Sequence, residues 1–297
     1  MEAKLINGKE TSLHIREKIL EDVQRLTASG CKPGLAVVLV GDDPASVSYV
    51  TGKTKTALEL GIQAFDYKLP EATTEEELLE LIANLNKKPE VHGILVQLPL
   101  PRHINPDTII ASISISKDVD GLNPASLGNL FQGNDAFFPC TPHGVIKLLE
   151  EREIHTAGKH VVVVGRSNLV GKPMAALLLR KGPFADATVT VCHSKTPDIG
   201  AYVRLGDIVI AALGKPRFIT ADMVKPGAVV IDVGVTRIPD ASKKSGFRLC
   251  GDVDFEPVSK IASYLTPVPG GVGPMTITML MYNTVKAAAL SSGQKPL

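Results

Sequence analysis

The chain has 297 residues, which is enough for two domains that each bury a core of their own. Its 32 basic and 31 acidic residues give a net charge of +1, so no overall field attracts nucleic acid or an anionic membrane. No secretory signal pattern begins the sequence, and no apolar run approaches the ~18 residues that would span a bilayer. We therefore expect a soluble cytoplasmic protein whose partner is a small molecule.

The cysteines and histidines show neither a metal site nor a disulfide framework. Cys31, Cys140, Cys192 and Cys250 lie far apart without a C-x-x-C pair. The seven histidines have no recognisable metal-ligand spacing. We interpret the cysteines as reduced thiols and predict that the protein has no metal site.

The first half of the chain alternates helices and strands. Apolar residues at helical spacing predict a helix over residues 10–28, and the apolar run 35–40 predicts a buried parallel strand. Further strands are predicted at 65–69 and 93–98, separated by a helix that opens with a capping box at Thr74. This alternation predicts an α/β fold.

The helix that follows the first buried strand carries a polar stripe. At about 100° per residue, Ser46, Tyr49 and Lys53 fall within roughly 60° of one another. A separate apolar face consists of Val47, Val50 and Ala57. A stripe of this kind either binds a ligand or faces solvent, and the spacing alone does not decide between the two.

Two further polar positions lie where ligands collect. Gln97 stands near the carboxyl end of its predicted strand, outside which ligands bind in open α/β sheets, although a glutamine there also commonly caps its own loop. Later, Asp118 and Asp120 flank one valine before Gly121. This second loop either forms an Asx turn or presents the Asp120 carboxylate to a donor-rich heterocycle.

A domain boundary is predicted near Thr141. Phe137 and Phe138 are interpreted as a short strand, Thr141 as a helix N-cap and Pro142 as part of the first helical turn. A new run of alternating strands and helices begins after this point.

The second half opens with a strand, a loop bounded by glycines and a helix. Strand 161–164 leads into a loop from Gly165 to Gly171, an order that aims backbone N–H groups and a helix N-terminus at an anion. The glycine spacing meets the dinucleotide pattern only in part. Arg166 adds a fixed positive charge inside the loop.

The residues after the next strand indicate which dinucleotide is bound. Strand 188–192 is followed by His193, Ser194 and Lys195, where an NAD-selective site would offer an acid to the ribose hydroxyl. Hydroxyl and basic groups in that place predict a pocket for the extra phosphate of NADP. Arg166 is the expected bidentate partner of that phosphate.

Two more strands, a loop rich in glycine and proline, and a terminal helix complete the chain. Strands 208–212 and 229–233 each lead to a glycine, which lets a cofactor approach. Residues 265–276 are so rich in glycine and proline that they must form a rigid loop with exposed amides. Apolar residues from Met275 onward recur at helical spacing and predict a terminal helix that packs back on the body.

Six of these segments together resemble one family. The order and spacing of the motifs over nearly the whole chain are similar to the bifunctional methylenetetrahydrofolate dehydrogenase and methenyltetrahydrofolate cyclohydrolase of one-carbon metabolism. The motifs are Tyr49-Val50-x-x-Lys53, Gln97-Leu98-Pro99, Asp118-Val119-Asp120-Gly121, Pro139-Cys140-Thr141-Pro142, Gly165-Arg166-Ser167-x-x-Val170-Gly171-x-Pro173 and Pro267-Val268-Pro269-Gly270-Gly271-Val272-Gly273-Pro274-Met275-Thr276.

The resemblance implies two α/β domains with a cleft between them. Residues 1–141 would form a folate-binding catalytic domain, which the C-terminal helix 275–297 rejoins. Residues 142–274 would form a Rossmann-like NADP-binding domain through which homodimers assemble.

The resemblance also implies which residues act on the folate. Tyr49 would stack on it, Lys53 and Gln97 would flank the reacting one-carbon unit, and Asp120 would hydrogen-bond the pterin. These four residues are the expected catalytic set. The remaining residues expected in the folate pocket are Ser46, Val268, Pro269 and Gly271.

The cofactor residues follow from the resemblance in the same way. Gly165, Arg166 and Ser167 would hold phosphates of NADP. Ser194 would contact the 2′-phosphate, and Val235 would lie at the nicotinamide end.

The implied reaction has two steps. Hydride passes from the methylene carbon of 5,10-methylenetetrahydrofolate to NADP, and water then adds to the methenyl cation, whose ring opens to 10-formyltetrahydrofolate, a one-carbon donor for purine biosynthesis. Hydride transfer needs alignment but no protein acid. Hydration needs proton transfers, which a lysine of lowered pKa could mediate. Lys53 is therefore expected to transfer protons in the hydration step.

Three other functions are weighed against this one. An NADP-dependent dehydrogenase for another small substrate would keep the Gly165 loop but gives no reason for Tyr49, Lys53, Gln97 and Asp120 together. A non-catalytic NADP-sensing module would bind the cofactor without turnover. A dehydrogenase that lacks the hydration step is the third, and the presence of Lys53 argues against it.

Overall fold

A computed structural model describes residues 2–243 and 246–295 of the protein. The chain divides into two compact units. The six-strand unit comprises residues 2–12, 131–133 and 141–276, and the three-strand unit comprises 13–130, 134–140 and 277–295. Each unit is built from alternating strands and helices, so the α/β class expected from the sequence is confirmed.

The helices and strands are numbered in chain order. The helices are α1 (Gly8–Ala28), α2 (Pro44–Glu59), α3 (Glu75–Lys87), α4 (Pro106–Ser112), α5 (Pro124–Gln132), α6 (Cys140–Glu151), α7 (Gly171–Leu179), α8 (Ile199–Val203), α9 (Phe255–Ser259) and α10 (Val272–Ser291). The strands are β1 (Lys4–Leu5), β2 (Gly34–Val40), β3 (Gln63–Leu69), β4 (Gly93–Val96), β5 (His160–Val164), β6 (Thr188–Cys192), β7 (Ile208–Ala211), β8 (Val229–Asp232), β9 (Thr236–Pro239), β10 (Phe247–Cys250) and β11 (Tyr264–Leu265).

The three-strand unit is organised around β2. All seven residues of β2 are buried, and it pairs in parallel with β3 on one side and β4 on the other. Leu78, Ile82 and Leu85 of α3 pack against one face, each side chain adding roughly 1.5–3 kcal/mol by burial. The predicted capping box at Thr74 is present and starts α3 at the next residue. Because the strands are parallel, the start of α2 and Gln97 follow β2 and β4 at the same carboxyl edge.

The six-strand unit contains a parallel sheet in the order β1, β11, β8, β7, β5, β6 within the described residues. The predicted strands of the second half are all present in this sheet. Strands β7 and β8 are buried throughout and β5 nearly so, as expected for the centre of a parallel sheet. Strands β9 and β10 form a separate antiparallel pair. The carboxyl ends of the six parallel strands form one edge of the unit.

Five details differ from the sequence expectations. Residues 2–12 belong to the six-strand unit, because β1 pairs with β11, although the predicted boundary placed them with the other domain. Phe137 and Phe138 form no strand, and α5 was not predicted. Thr141 is not an N-cap, because α6 begins at Cys140. The terminal helix starts at Val272 and ends at Ser291, and residues 1, 296 and 297 of the predicted domain lie outside the described residues.

No helix in the described part of the chain is both long and apolar enough to cross a membrane. The same residues contain no group of three or more histidine, cysteine, aspartate or glutamate side chains placed to hold a metal ion.

Candidate active site

The beginning of α2 is fixed by Asp43. Its carboxylate accepts hydrogen bonds from the backbone N–H of Ser46 at 2.8 Å and from the Ser46 hydroxyl at 2.9 Å. Pro44 occupies the first turn, where no N–H partner is needed. Ser46, predicted to line the folate pocket, is therefore buried and engaged in starting the helix.

Two of the three residues of the polar stripe of α2 are buried. Ser46 and Lys53 are buried, as is Ala57 of the apolar face, whereas Val47 and Val50 are only half-buried. A lysine is almost never buried without a reason, because its ammonium group loses hydration. Lys53 is only 9 % exposed, so the interpretation of this stripe as a solvated face is wrong for that residue. Tyr49 remains 50 % exposed, which leaves its ring free to stack on a flat ligand.

Lys53 and Gln97 are in direct contact. The Lys53 ammonium donates to Oε1 of Gln97 at 2.8 Å, and the Gln97 amide nitrogen donates to the carbonyl of Leu98 at 2.6 Å. Gln97 thus caps its own loop and orients the lysine at the same time. Burial lowers the pKa of Lys53 from its usual 10.5, and the negative charge of Asp120 opposes that shift.

The two acids of the Asp118–Gly121 loop have separate roles. Asp118 is fully buried, and its carboxylate accepts from the backbone N–H groups of Leu122 at 3.2 Å and Asn123 at 2.9 Å. Burial raises the pKa of Asp118, and these hydrogen bonds limit the rise. Asp118 therefore forms the turn, and the negative charge of half-buried Asp120 acts on Lys53. Gly121 has φ +70°, and a Cβ there would lie 2.6 Å from the Phe137 carbonyl oxygen.

Two residues in this region were not singled out as site residues from the sequence. The buried thiol of Cys140 donates to the Val119 carbonyl at 3.4 Å, and burial together with the charge of Asp120 raises its pKa well above the usual value. Asn283 of α10 donates to the carbonyls of Val119 at 2.8 Å and Phe138 at 3.0 Å. These bonds hold the backbone next to Asp120. The available signal was an asparagine within a mostly apolar helix.

The loop after β5 is shaped by its glycines. Gly165 has φ +136°, and a side chain there would overlap the Ala212 carbonyl oxygen. A side chain on Gly171 would likewise overlap the Gly165 carbonyl oxygen. The Ser167 hydroxyl oxygen accepts from the Val170 N–H at 3.1 Å as the loop enters α7. The outer face of the loop, with Arg166 and Ser167, is exposed.

The other predicted cofactor residues lie at the same carboxyl edge. After β6, the His193 N–H donates to the Thr196 hydroxyl at 3.0 Å and the Thr196 N–H to the His193 carbonyl at 2.8 Å, a turn that leaves Ser194 exposed. Val235 follows β8 and is 43 % exposed. The structure therefore brings Gly165, Arg166, Ser167, Ser194 and Val235 to one edge of one sheet, as expected for a dinucleotide site.

The glycine- and proline-rich loop also leaves this edge, since it follows β11. The Gly271 N–H donates to the Pro267 carbonyl at 2.8 Å, and a Cβ on Gly271 would lie 2.6 Å from that oxygen. Gly271 is buried, Val268 is half-buried and Pro269 is exposed. The loop is a tight turn, and the role of these three residues toward the folate stays a prediction.

Comparison with known proteins covers nearly the whole chain. The family model described as tetrahydrofolate dehydrogenase/cyclohydrolase, catalytic domain, matches residues 6–120, and the NAD(P)-binding domain model of the same family matches residues 139–292. A bifunctional protein FolD of Geobacillus thermodenitrificans is 56 % identical over 97 % of this chain and 98 % of its own length.

Solved structures show the same likeness. The bifunctional FolD enzyme of Campylobacter jejuni is 51 % identical with a TM-score of 0.92, covering 97 % of this chain and 99 % of that one. The Trypanosoma brucei methylenetetrahydrofolate dehydrogenase-cyclohydrolase, solved with NADP cofactor and an inhibitor, is 41 % identical with a TM-score of 0.93, covering 98 % and 99 %.

Proposed function

The chain belongs to the tetrahydrofolate dehydrogenase/cyclohydrolase family, and on that premise we propose a two-step reaction for it. It oxidises 5,10-methylenetetrahydrofolate to the 5,10-methenyl form with NADP, and it hydrolyses that product to 10-formyltetrahydrofolate. The observation that carries this proposal is the buried Lys53 amine, which donates to Gln97 and faces the charge of Asp120. A solvated surface or a plain binding module gives no reason for that arrangement.

The three-strand unit supplies the groups for the folate. We assign the exposed ring of Tyr49 to stacking on the substrate and the half-buried carboxylate of Asp120 to a hydrogen bond with the pterin. Gln97 and Lys53 stand at the reacting carbon. Gln97 holds the lysine amine in place, so proton transfer takes place at a fixed position.

The residues of the six-strand unit fit a phosphorylated dinucleotide. The loop from Gly165 to Gly171 lies so close to neighbouring backbone at its two glycines that neither could carry a side chain, and it opens a helix. Exposed Ser194 and Lys195 follow β6 and supply hydroxyl and basic groups where an NAD-selective site would carry an acid, and exposed Arg166 and Ser167 lie in the loop after β5. When bound, NADP accepts a hydride from the methylene carbon.

The two steps differ in whether they need proton transfer by Lys53. Hydride transfer requires that the substrate be held and aligned, and no protein group gains or loses a proton in it. Hydration of the methenyl carbon releases a proton from water and delivers one to the departing ring nitrogen. An amine whose pKa is lowered by burial can accept the first proton and return it.

Assembly and location are further proposals. We infer a homodimer formed through the six-strand unit, where the large side chains of Val191, Tyr202 and Leu205 are exposed. Sedimentation of Leu205→Glu at several concentrations tests this, and an unchanged distribution contradicts that surface. We infer a cytoplasmic location, because all four cysteines are free thiols and three of them are buried.

The two activities are tested separately on the purified protein. Hydrolysis of 5,10-methenyltetrahydrofolate is followed without a dinucleotide, and NADPH formation is followed with 5,10-methylenetetrahydrofolate and NADP, with NAD in parallel. Both reactions should proceed, and NADP should be preferred. Binding of NADP without turnover would identify a sensing module, and NADPH formation without hydrolysis would identify a dehydrogenase alone.

A further inference from the structure

Two buried carboxyl groups occupy the six-strand unit beneath the predicted cofactor edge. Asp232 is the last residue of β8, and Asp252 follows β10 by two residues. Asp252 is 0 % exposed and Asp232 is 4 % exposed. Aspartates are almost never fully buried unless they are paired, so these two need a physical explanation.

Backbone N–H groups surround both carboxyls. Asp232 accepts from Gly234 at 3.0 Å and from Asp252 at 2.9 Å through Oδ1, and from Val253 at 2.9 Å through Oδ2. Asp252 Oδ2 also accepts from Leu213 at 2.6 Å and Gly214 at 2.9 Å, so five backbone donors from the described part of the chain point at the pair. Oδ1 of Asp252 is buried with no hydrogen-bond partner among the described residues.

The neighbouring sequence makes room for the carboxyls. A side chain on Gly234 would overlap the carboxyl group of Asp252, and a side chain on Gly251 would overlap Oδ2 of Asp232. The chain is therefore built around the two acids. Burial raises the pKa of Asp232 to about 7, and the charge of Asp252 contributes to the rise.

The pair connects two loops that matter for the cofactor. Leu213 and Gly214 follow β7, while Gly234 precedes Val235 in the loop after β8. Strands β7 and β8 are neighbours, with Ala211 opposite Asp232, so the two loops leave the sheet side by side. Asp252 holds the first loop, Asp232 holds the second, and the Asp252 N–H joins the two acids.

We propose that Asp252, braced by Asp232, is a positioning residue that holds the loops after β7 and β8 in the shape that receives the nicotinamide end of NADP. This inference rests on the proposed NADP-dependent activity. Both aspartates are buried, so the pair acts through the backbone of the loops and not by contact with the dinucleotide.

The variants Asp252→Ala and Asp252→Asn test this role. Alanine removes both acceptor oxygens and frees the N–H groups of Leu213 and Gly214, so the KM for NADP should rise at least about tenfold. Asparagine keeps one acceptor oxygen and should give an intermediate KM. Asp254→Asn, which changes a half-buried acid two residues away, is the matched control and should match the wild type.

Two readouts distinguish positioning from general damage. Cyclohydrolase turnover without dinucleotide should be retained by every variant, which shows that the protein is folded. Inhibition by adenosine 2′,5′-bisphosphate, which lacks the nicotinamide half, should also be retained, because the loops after β5 and β6 are untouched.

Three results would overturn the inference. An unchanged KM for NADP in the Asp252→Ala protein would show that Asp252 has no positioning role. Equal weakening of NADP and of the bisphosphate means that the acid supports the whole unit. Loss of both activities in the alanine and asparagine variants means the same. Failure of the proposed function is a separate result, since the wild type itself would then not turn over NADP.

Discussion

Replacement of Lys53 by methionine tests whether the lysine amine transfers protons in the hydration step and not in hydride transfer. Methionine keeps the length and the apolar stem of lysine but removes the titrating amine and all three donors. If the amine moves protons during hydration, the cyclohydrolase rate should fall by about two orders of magnitude or more. At about 1.36 kcal/mol for each factor of ten, this corresponds to at least about 2.7 kcal/mol of lost transition-state stabilisation.

The same substitution should leave the fold intact. Loss of the 2.8 Å hydrogen bond leaves Oε1 of Gln97 without its lysine partner, at a cost of roughly 1–3 kcal/mol. Removal of a buried ammonium group acts in the opposite direction, because burial disfavours that charge. The two effects largely cancel, so we expect the melting temperature to shift by no more than about 4 °C.

The assay follows NADPH and the folate species together. The Lys53→Met protein should still form NADPH from 5,10-methylenetetrahydrofolate while the methenyl form accumulates, which chromatography of quenched samples detects. Lys55→Met is the matched control, because Lys55 lies on the same helix with a side chain that is 75 % exposed. Both rates falling together with weaker folate binding would make Lys53 a binding residue, and unchanged rates would show that it has no role.

Three further predictions concern the charged groups. Arg166→Ala should raise the KM for NADP by about tenfold or more and the KM for NAD little, because only NADP loses a charge-assisted contact; equal losses would contradict the assignment. Asp120→Ala should slow both folate steps, and calorimetry should find NADP affinity nearly unchanged; a collapse of that affinity would make Asp120 structural. Burial raises the pKa of Asp232 from 3.8 to about 7, so the folded state holds a proton that the unfolded state loses, and stability should fall as pH rises through that window. Thermal melts of Asp232→Asn should show a shallower decline between these pH values, and an unchanged slope would contradict the shift.

Much of the framework could be predicted from local pattern. The apolar run 35–40 predicts a buried strand, and the motif at Thr74 predicts a capping box, each from a few neighbouring residues. The structure contains both. Gly165 meets the carbonyl of Ala212, which lies far along the chain, but the need for Gly171 is local, because a side chain there would overlap Gly165 of the same loop. For such features sequence order and spatial order coincide.

Other features depend on partners that are distant in sequence. Strand β1 is two residues long, and only its pairing with β11 assigns it to the six-strand unit. The burial of Lys53 follows from what packs on α2, and its polar stripe taken alone also fits a solvated face. The sequence did not indicate a role for Asp232 and Asp252, because the backbone N–H groups that they accept from lie in loops that only the fold brings together.

If one protein completes both steps, its two products must form in equal amounts, and a mass balance measures this. Purified protein is mixed with 5,10-methylenetetrahydrofolate and limiting NADP, and NADPH and 10-formyltetrahydrofolate are quantified in the same quenched samples. We predict that the formyl product appears in equal amount to NADPH, with a rate above that of spontaneous methenyl hydrolysis measured without protein. If the methenyl form accumulates in equal amount to NADPH and then decays only at the spontaneous rate, the protein does not catalyse the hydrolysis step.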